Sequence, residues 1–173
     1  ALPALASVGG DLEFASNSDL QTVDLPSLTT LLGTLSLYFN PELHRLTASA
    51  LVSVGGTLSI YYNGSLSDPQ LSSLQHIGGD FFAYQNFGLS SLDDLAAIET
   101  IAGSFYIAVV GNAPVLSLPA LSSVGLDFEV SHNSDMTTLS MPGLASVGAD
   151  FVLRTNDLLS TLDFALLSAV GGD

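Results

Sequence analysis

One ten-residue segment recurs along the whole chain and restricts what it can fold into. It reads Val-Gly-Gly-Asp-Leu-Glu-Phe-Ala-Ser-Asn at positions 8–17, and later copies each end in an asparagine. The spacing of these asparagines is 23 residues, except for steps of 26 and 21 around the copy at 101–112, which holds two extra residues. A fixed period of this length is typical of a solenoid of stacked coils. The series contains every asparagine of the chain: Asn17, Asn40, Asn63, Asn86, Asn112, Asn133 and Asn156.

Within each copy, apolar residues alternate with polar ones, as in a β-strand with one buried face. Leu12 and Phe14 begin the series, and the later copies repeat the pattern. Each strand is expected to lie about 4.8 Å from its counterpart in the next coil. The sequence therefore predicts an all-β, parallel β-solenoid of about seven coils with one main parallel sheet. We expect residues 1–173 to form a single domain. The same repeat pattern would be found in a section of a longer array.

Glycine and asparagine stand on either side of each strand. We expect the glycines to allow a sharp turn with positive φ before the strand. We expect each asparagine to point inward at the bend after the strand, so that its amide bonds its own coil and the next one. Each such hydrogen bond contributes about 1 kcal/mol net, whereas an unsatisfied buried amide costs about 1–3 kcal/mol. All seven asparagines are predicted to form this ladder.

The return side of each coil carries a second set of apolar residues and short Leu-Pro segments such as Leu25-Pro26 and Leu118-Pro119. Proline removes a backbone donor and excludes a long helix there. Short extended or 3₁₀ pieces are expected instead. The segment from Leu92 to Ile98 is the best candidate for a helical turn.

The repeat pattern Val-Gly-Gly-x-Leu-x-Ile-x-x-Asn-x-x-Leu, clearest at 54–66, resembles the receptor L domain, a relative of the leucine-rich repeats. The resemblance covers essentially the whole chain. It implies a right-handed β-solenoid in an extracellular, non-enzymatic setting, as in growth-factor receptors and in bacterial and fungal surface proteins. It identifies no ligand.

Charge and composition exclude several classes of binding partner. The chain has 17 acidic residues, two arginines and no lysine, with a net charge of −15. This balance argues against binding nucleic acid or anionic membranes, both of which require clustered basic residues. There is no cysteine, hence no disulfide or thiolate metal site. A lysine-free repeat rich in Ser, Thr and Gly indicates a secreted or cell-surface protein.

Outward strand positions should form columns across the coils. One column contains Tyr38, Tyr61 and Tyr84, and its neighbour contains Phe82 and Tyr106. Such an aromatic patch suits a contact surface for a protein or glycan ligand. The alternative is that aromatic stacking across strands only strengthens the sheet.

A third column contains acids and hydroxyls, among them Asp127 and Asp150 in adjacent coils. Calcium could relieve their repulsion, but the set of ligands is incomplete, and solvated carboxylates or turn caps are the favoured interpretation. No metal or cofactor is predicted. His44, His76 and His132 fall at different phases of the repeat, outside any catalytic motif. No catalytic residue is assigned and no enzyme is expected.

Both outer copies carry apolar strand residues and no polar cap: Leu12 and Phe14 in the first, Phe151 and Leu153 in the last. An uncapped solenoid exposes strand edges and interior. Either the chain is a piece of a longer array, or copies stack head to tail into a filament. We therefore expect a non-catalytic extracellular scaffold, structural or adhesive, that stacks end to end. The alternative is a ligand-binding module that uses the tyrosine-rich face.

Overall fold

A computed structural model describes residues 1–172 and shows an all-β solenoid of about seven turns, with equivalent strands about 23 residues apart. Every strand pair is parallel. The predicted fold class is confirmed. The strands form four sheets, since the return side contributes paired strands of its own.

The main sheet has seven strands, one per coil, and its inward side chains form the core. The first apolar residue of each strand lies in register with that of the next, from Leu12 through Phe81 to Phe151. Phe81, Phe105, Phe128 and Phe151 stack with ring centroids 4.8–5.3 Å apart. The strands are Leu12–Ala15, Leu35–Tyr38, Leu58–Tyr61, Phe81–Asn86, Phe105–Val110, Phe128–Ser131 and Phe151–Arg154.

A sheet of eight two-residue strands precedes the main sheet in each coil. Its strands are Ser7–Val8, Thr30–Leu31, Ser53–Val54, His76–Ile77, Thr100–Ile101, Ser123–Val124, Ser146–Val147 and Ala169–Val170. The glycines follow these strands. Our explanation of them was wrong, because no glycine in residues 1–172 has a positive φ. The glycines are needed because the backbones of adjacent coils lie very close together. A Cβ at Gly55 would overlap the carbonyl oxygen of Leu32, and a Cβ at Gly78 would overlap the carbonyl oxygen of Gly55.

The third face holds two three-stranded sheets separated by a short helix. The first contains Thr22–Asp24, Arg45–Thr47 and Asp68–Gln70, and the second Val115–Ser117, Thr138–Ser140 and Thr161–Asp163. The 3₁₀ helix Asp93–Leu95 lies within the segment where a helical turn was predicted. The coil that contains it is one residue longer than the others, because Thr100 pairs with His76, 24 residues earlier.

The backbone adopts positive φ in a bend at the carboxyl end of each main strand, either just after the strand or at its next-to-last residue. In each coil one residue has a positive φ, between 51° and 57°, and none of these residues is glycine. The left-handed region costs an L-residue about 1–2 kcal/mol, so other contacts must hold each bend in place. The residues are Ser16, Phe39, Tyr62, Gln85, Val109, His132 and Thr155.

Candidate functional site

A ladder of side-chain amides runs under the bends and holds them. The Asn63 Nδ2 donates to the carbonyl oxygens of Leu37 at 2.9 Å and Tyr61 at 3.2 Å. Its Oδ1 accepts from the backbone N and the Nδ2 of Asn40, both at 3.2 Å. Asn40, Asn63, Asn86 and Asn133 are buried. Asn17, although exposed, and the half-buried Asn156 continue the ladder at its two ends.

The prediction for Asn112 is wrong. Asn112 is exposed, and Val110, which pairs with Asn86 in the main sheet, occupies the ladder position. The backbone N of Val110 donates to the Asn133 Oδ1 at 3.1 Å, so only the side-chain rung is missing. The sequence held a signal for this. The ladder asparagine always lies five residues after the first core residue of its strand, and five residues after Phe105 is Val110.

The acidic column forms a second ladder, at the start of the strands. The Asp11 Oδ1 accepts from the backbone N of Thr34 at 2.7 Å, and the Asp80 Oδ1 accepts from that of Ser104 at 2.7 Å. The Asp127 Oδ1 likewise accepts from the backbone N of Asp150 at 3.1 Å. Each of these carboxylates therefore binds a backbone N–H at the start of the strand in the next coil. Among the side chains that the structure describes, no three His, Cys, Asp or Glu residues are placed to hold a metal ion.

The outward aromatic residues form one continuous cluster on the main sheet. The register confirms both predicted columns, since Tyr38 pairs with Tyr61 and Tyr61 with Tyr84, while Phe82 pairs with Tyr106. Phe39 and Tyr62, from the positive-φ bends, extend the same cluster, as their places just before the asparagines predict. All five tyrosines of the chain belong to it. We call the set the aromatic face: Tyr38, Phe39, Tyr61, Tyr62, Phe82, Tyr84 and Tyr106.

The rings of the aromatic face pack mostly against one another. Tyr38 and Tyr61 stack at 4.9 Å with their planes 2° apart, and Phe39 and Tyr62 stack at 4.8 Å. Tyr84 does not continue the first stack but meets Tyr62 edge to face at 5.6 Å. Because many ring faces are covered by other rings, the surface offers mainly ring edges and hydroxyl groups. The two bend residues are the most exposed, Phe39 at 48% and Tyr62 at 38%.

Negative charge borders the aromatic face. The Tyr38 hydroxyl donates to the Glu13 Oε1 at 2.9 Å, and this hydrogen bond, with smaller contributions from burial and the Glu13 charge, raises the pKa of Tyr38 above its ordinary value of 10.0. Both arginines of the sequence are already paired, Arg45 with Asp24 at 3.4 Å and Arg154 with Glu129 at 2.7 Å. Little basic charge remains to offset the acids.

The residues predicted for end-to-end contact lie on the outermost described coils. Leu12, Phe14, Phe151 and Leu153 are half-buried and pack against the core. Beside Phe14 lies a small cavity of about 100 Å³. At the other end the rings of Phe151 and Phe164 meet at 5.2 Å, and Leu162 is 55% exposed. Both end surfaces are therefore partly apolar.

The three histidines do not come together. His44 precedes a strand of the third face, His76 lies in the two-residue sheet, and His132 lies at a main-sheet bend. The His76 Nδ1 contacts the Thr100 Oγ1 at 3.0 Å. Within residues 1–172, helical structure is too short to cross a membrane.

Comparison of the chain with protein-family models, with curated proteins and with solved structures found no match in any of the three.

Proposed function

We propose that the protein is a non-catalytic, extracellular repeat scaffold whose aromatic face binds a partner protein. The observation that carries the proposal is the collection of all five tyrosines into one outward cluster on a chain of 173 residues. The receptor L-domain relationship and a secreted or cell-surface location are parts of the same proposal. They are supported by the repeat pattern at 54–66 and by the near absence of basic residues.

The backbone under the aromatic face favours a contact role over a purely stabilising one. Phe39 and Tyr62 occupy positive-φ bends, where an L-residue is disfavoured by about 1–2 kcal/mol and where Asn or Gly fits best. Their mutual stacking recovers about 0.5–1.5 kcal/mol, but both side chains remain substantially exposed. Other coils place residues as different as Ser16, Val109 and Thr155 at the same bend. Stacking offsets part of the cost, and the exposed parts of both rings leave apolar surface that a partner can cover.

Charge and ring geometry indicate the chemistry of the partner. Ring edges and tyrosine hydroxyls suit a protein surface better than the flat face of a sugar, which needs an open ring face. Glu13 and Glu129 lie in the same outward column as Phe82 and Tyr106, on either side of them. A net charge of −15 steers basic partners toward the molecule. The partner surface is thus one with Lys or Arg side chains, which the net negative charge attracts and which can donate hydrogen bonds to the tyrosine hydroxyl oxygens.

Arrays of basic, neutral and acidic peptides, together with a glycan array, test this proposal. Basic peptides should be captured, and capture should weaken with salt. The double variant Tyr61→Ala with Tyr84→Ala should lose this capture while keeping its β-sheet circular dichroism. The matched control, Leu32→Ala with Leu126→Ala, removes two exposed apolar side chains elsewhere and should bind normally. Unchanged capture by the tyrosine variant, or selective binding to glycans through these tyrosines, would dismiss the proposal.

End-to-end stacking is a second candidate, favoured by the partly exposed apolar side chains of both outer coils. Another coil with the same repeat would cover them, and a second copy of the chain can supply it without closing a ring. Sedimentation over a range of concentrations should then reveal growing assemblies, and electron microscopy should reveal fibres. Leu162→Asp combined with Leu166→Asp should return the protein to a single small species. A stable monomer at micromolar concentration would rule stacking out.

A further inference from the structure

A cavity lies beside the coil in which Val110, and not an asparagine, occupies the ladder position. It measures about 340 Å³ and is lined by Phe87, Val109, Asn112, His132, Ser134 and Asp135, among others. This volume falls within the range of about 300–1,000 Å³ that is usual for small-molecule sites. The aromatic face contributes none of these residues, so the cavity is a separate feature of the surface.

The break in the amide ladder lies at the wall of this cavity. Val110 takes the buried position, so that Asn112 lies two residues farther on, exposed at the cavity wall. Gly111 fits tightly between them: its backbone N donates to the carbonyl oxygen of Asn86 at 3.0 Å, and a Cβ there would overlap the carbonyl oxygen of Phe87. The repeat thus changes locally, at the place where the wall of the cavity is formed.

The polar side chains of the cavity have no other partners. Within residues 1–172, the side chains of Asn112, His132, Ser134 and Asp135 make no hydrogen bond or ion pair with the rest of the chain. Together they offer an amide, an imidazole, a hydroxyl and a carboxylate. Four unused polar groups around one cavity can serve a ligand that carries several hydroxyl groups.

Phe87 supplies the apolar side of the cavity. Its side chain is 58% exposed, and no ring of the described residues stacks on it or meets it edge to face. An open ring face of this kind can pack against the apolar face of a pyranose ring, which the covered rings of the aromatic face do less well. We propose that this cavity binds one residue of a neutral sugar. A neutral ligand also suits a protein whose net charge of −15 repels anions.

Titration of the full chain with glucose, galactose, mannose and N-acetylglucosamine, followed by two-dimensional NMR, tests the proposal. At least one sugar should bind with a dissociation constant on the order of 1 mM, as fits a weak single-sugar site. The shifted signals should come from Phe87, Asn112 and His132. Phe87→Ala and Asp135→Asn should each weaken binding at least about tenfold, which corresponds to about 1.4 kcal/mol.

Phe39→Ala is the matched control, because it removes an exposed aromatic side chain from the aromatic face. It should leave sugar binding unchanged, while the peptide capture described above should fall. All three substituted side chains are exposed, so the variants should fold, and their circular dichroism verifies this. The absence of any saturable shift, or shifts confined to Tyr61 and Tyr62, would overturn the sugar site and leave the proposal for the aromatic face untouched.

Discussion

Replacing Asn63 by alanine should be among the most damaging single changes to this fold. The side chain is fully buried and takes part in four hydrogen bonds, two through its Nδ2 and two through its Oδ1. At about 1 kcal/mol net per bond the loss approaches about 4 kcal/mol. Some relaxation around the smaller side chain reduces this, so we expect the free energy of unfolding to fall by about 2–4 kcal/mol.

Urea unfolding followed by circular dichroism measures this change, with the slope of the transition showing whether cooperativity is kept. Asn112→Ala is the matched control, since Asn112 is exposed and lies outside the ladder. Its effect should stay within about 0.5 kcal/mol. If the two variants lose equal stability, or if Asn63→Ala costs less than about 0.5 kcal/mol, the ladder does not stabilise the stack.

Three further predictions concern the turns and the aromatic face. Gly78→Ala should destabilise the protein by about 1–3 kcal/mol through overlap with the preceding coil, whereas Gly64→Ala, with open space around its Cα, should change urea stability little. Thr155→Asn should raise the free energy of unfolding by about 1 kcal/mol, because Asn tolerates the positive φ that a β-branched residue resists; a decrease would contradict the strain argument. Glu13→Ala should lower the pKa of Tyr38 toward its ordinary value, as NMR titration of the tyrosine ring carbons would show. Because the folded state raises the pKa of Tyr38, the protonated hydroxyl stabilises the fold. This contribution is complete below pH 10.0 and is lost as the pH rises through the higher pKa of the folded state. A wild-type Tyr38 pKa equal to the ordinary value would refute this.

Periodicity alone was enough to predict the fold class. The alternation at Leu12 and Phe14, repeated at a constant spacing, identified the buried side of the main strands and the columns that face outward. Parallel pairing followed from the constant period. The 3₁₀ helix Asp93–Leu95 also falls within the segment from Leu92 to Ile98, where a helical turn was predicted.

The details of the turns could not be predicted in the same way. Glycine is required both for positive φ and for close backbone approach, and the sequence does not distinguish these causes. The structure shows approach at Gly55 and positive φ at bulky residues such as Phe39 and Val109. The register error at Asn112 arose because the asparagines were aligned with each other instead of with the core residues of the strands.

For the candidate sites, sequence predicted which residues share a column but not how their rings meet. Tyr84 follows Tyr61 in register, yet its ring turns toward Tyr62. The cavity beside Phe87 was not predicted at all. The spacing from Phe105 to Val110 indicates the displaced Asn112, but only the three-dimensional path of the backbone shows a cavity beside it.

Hydrogen exchange of the asparagine side-chain amides, measured by NMR, shows whether these amides are hydrogen-bonded inside the stack, because such bonds slow exchange. The amides of Asn40, Asn63, Asn86 and Asn133 should exchange slowly, and that of Asn112 should exchange as fast as a free amide. Fast exchange at the four buried positions, or protection of Asn112 equal to theirs, would contradict a stack of coils held by an amide ladder.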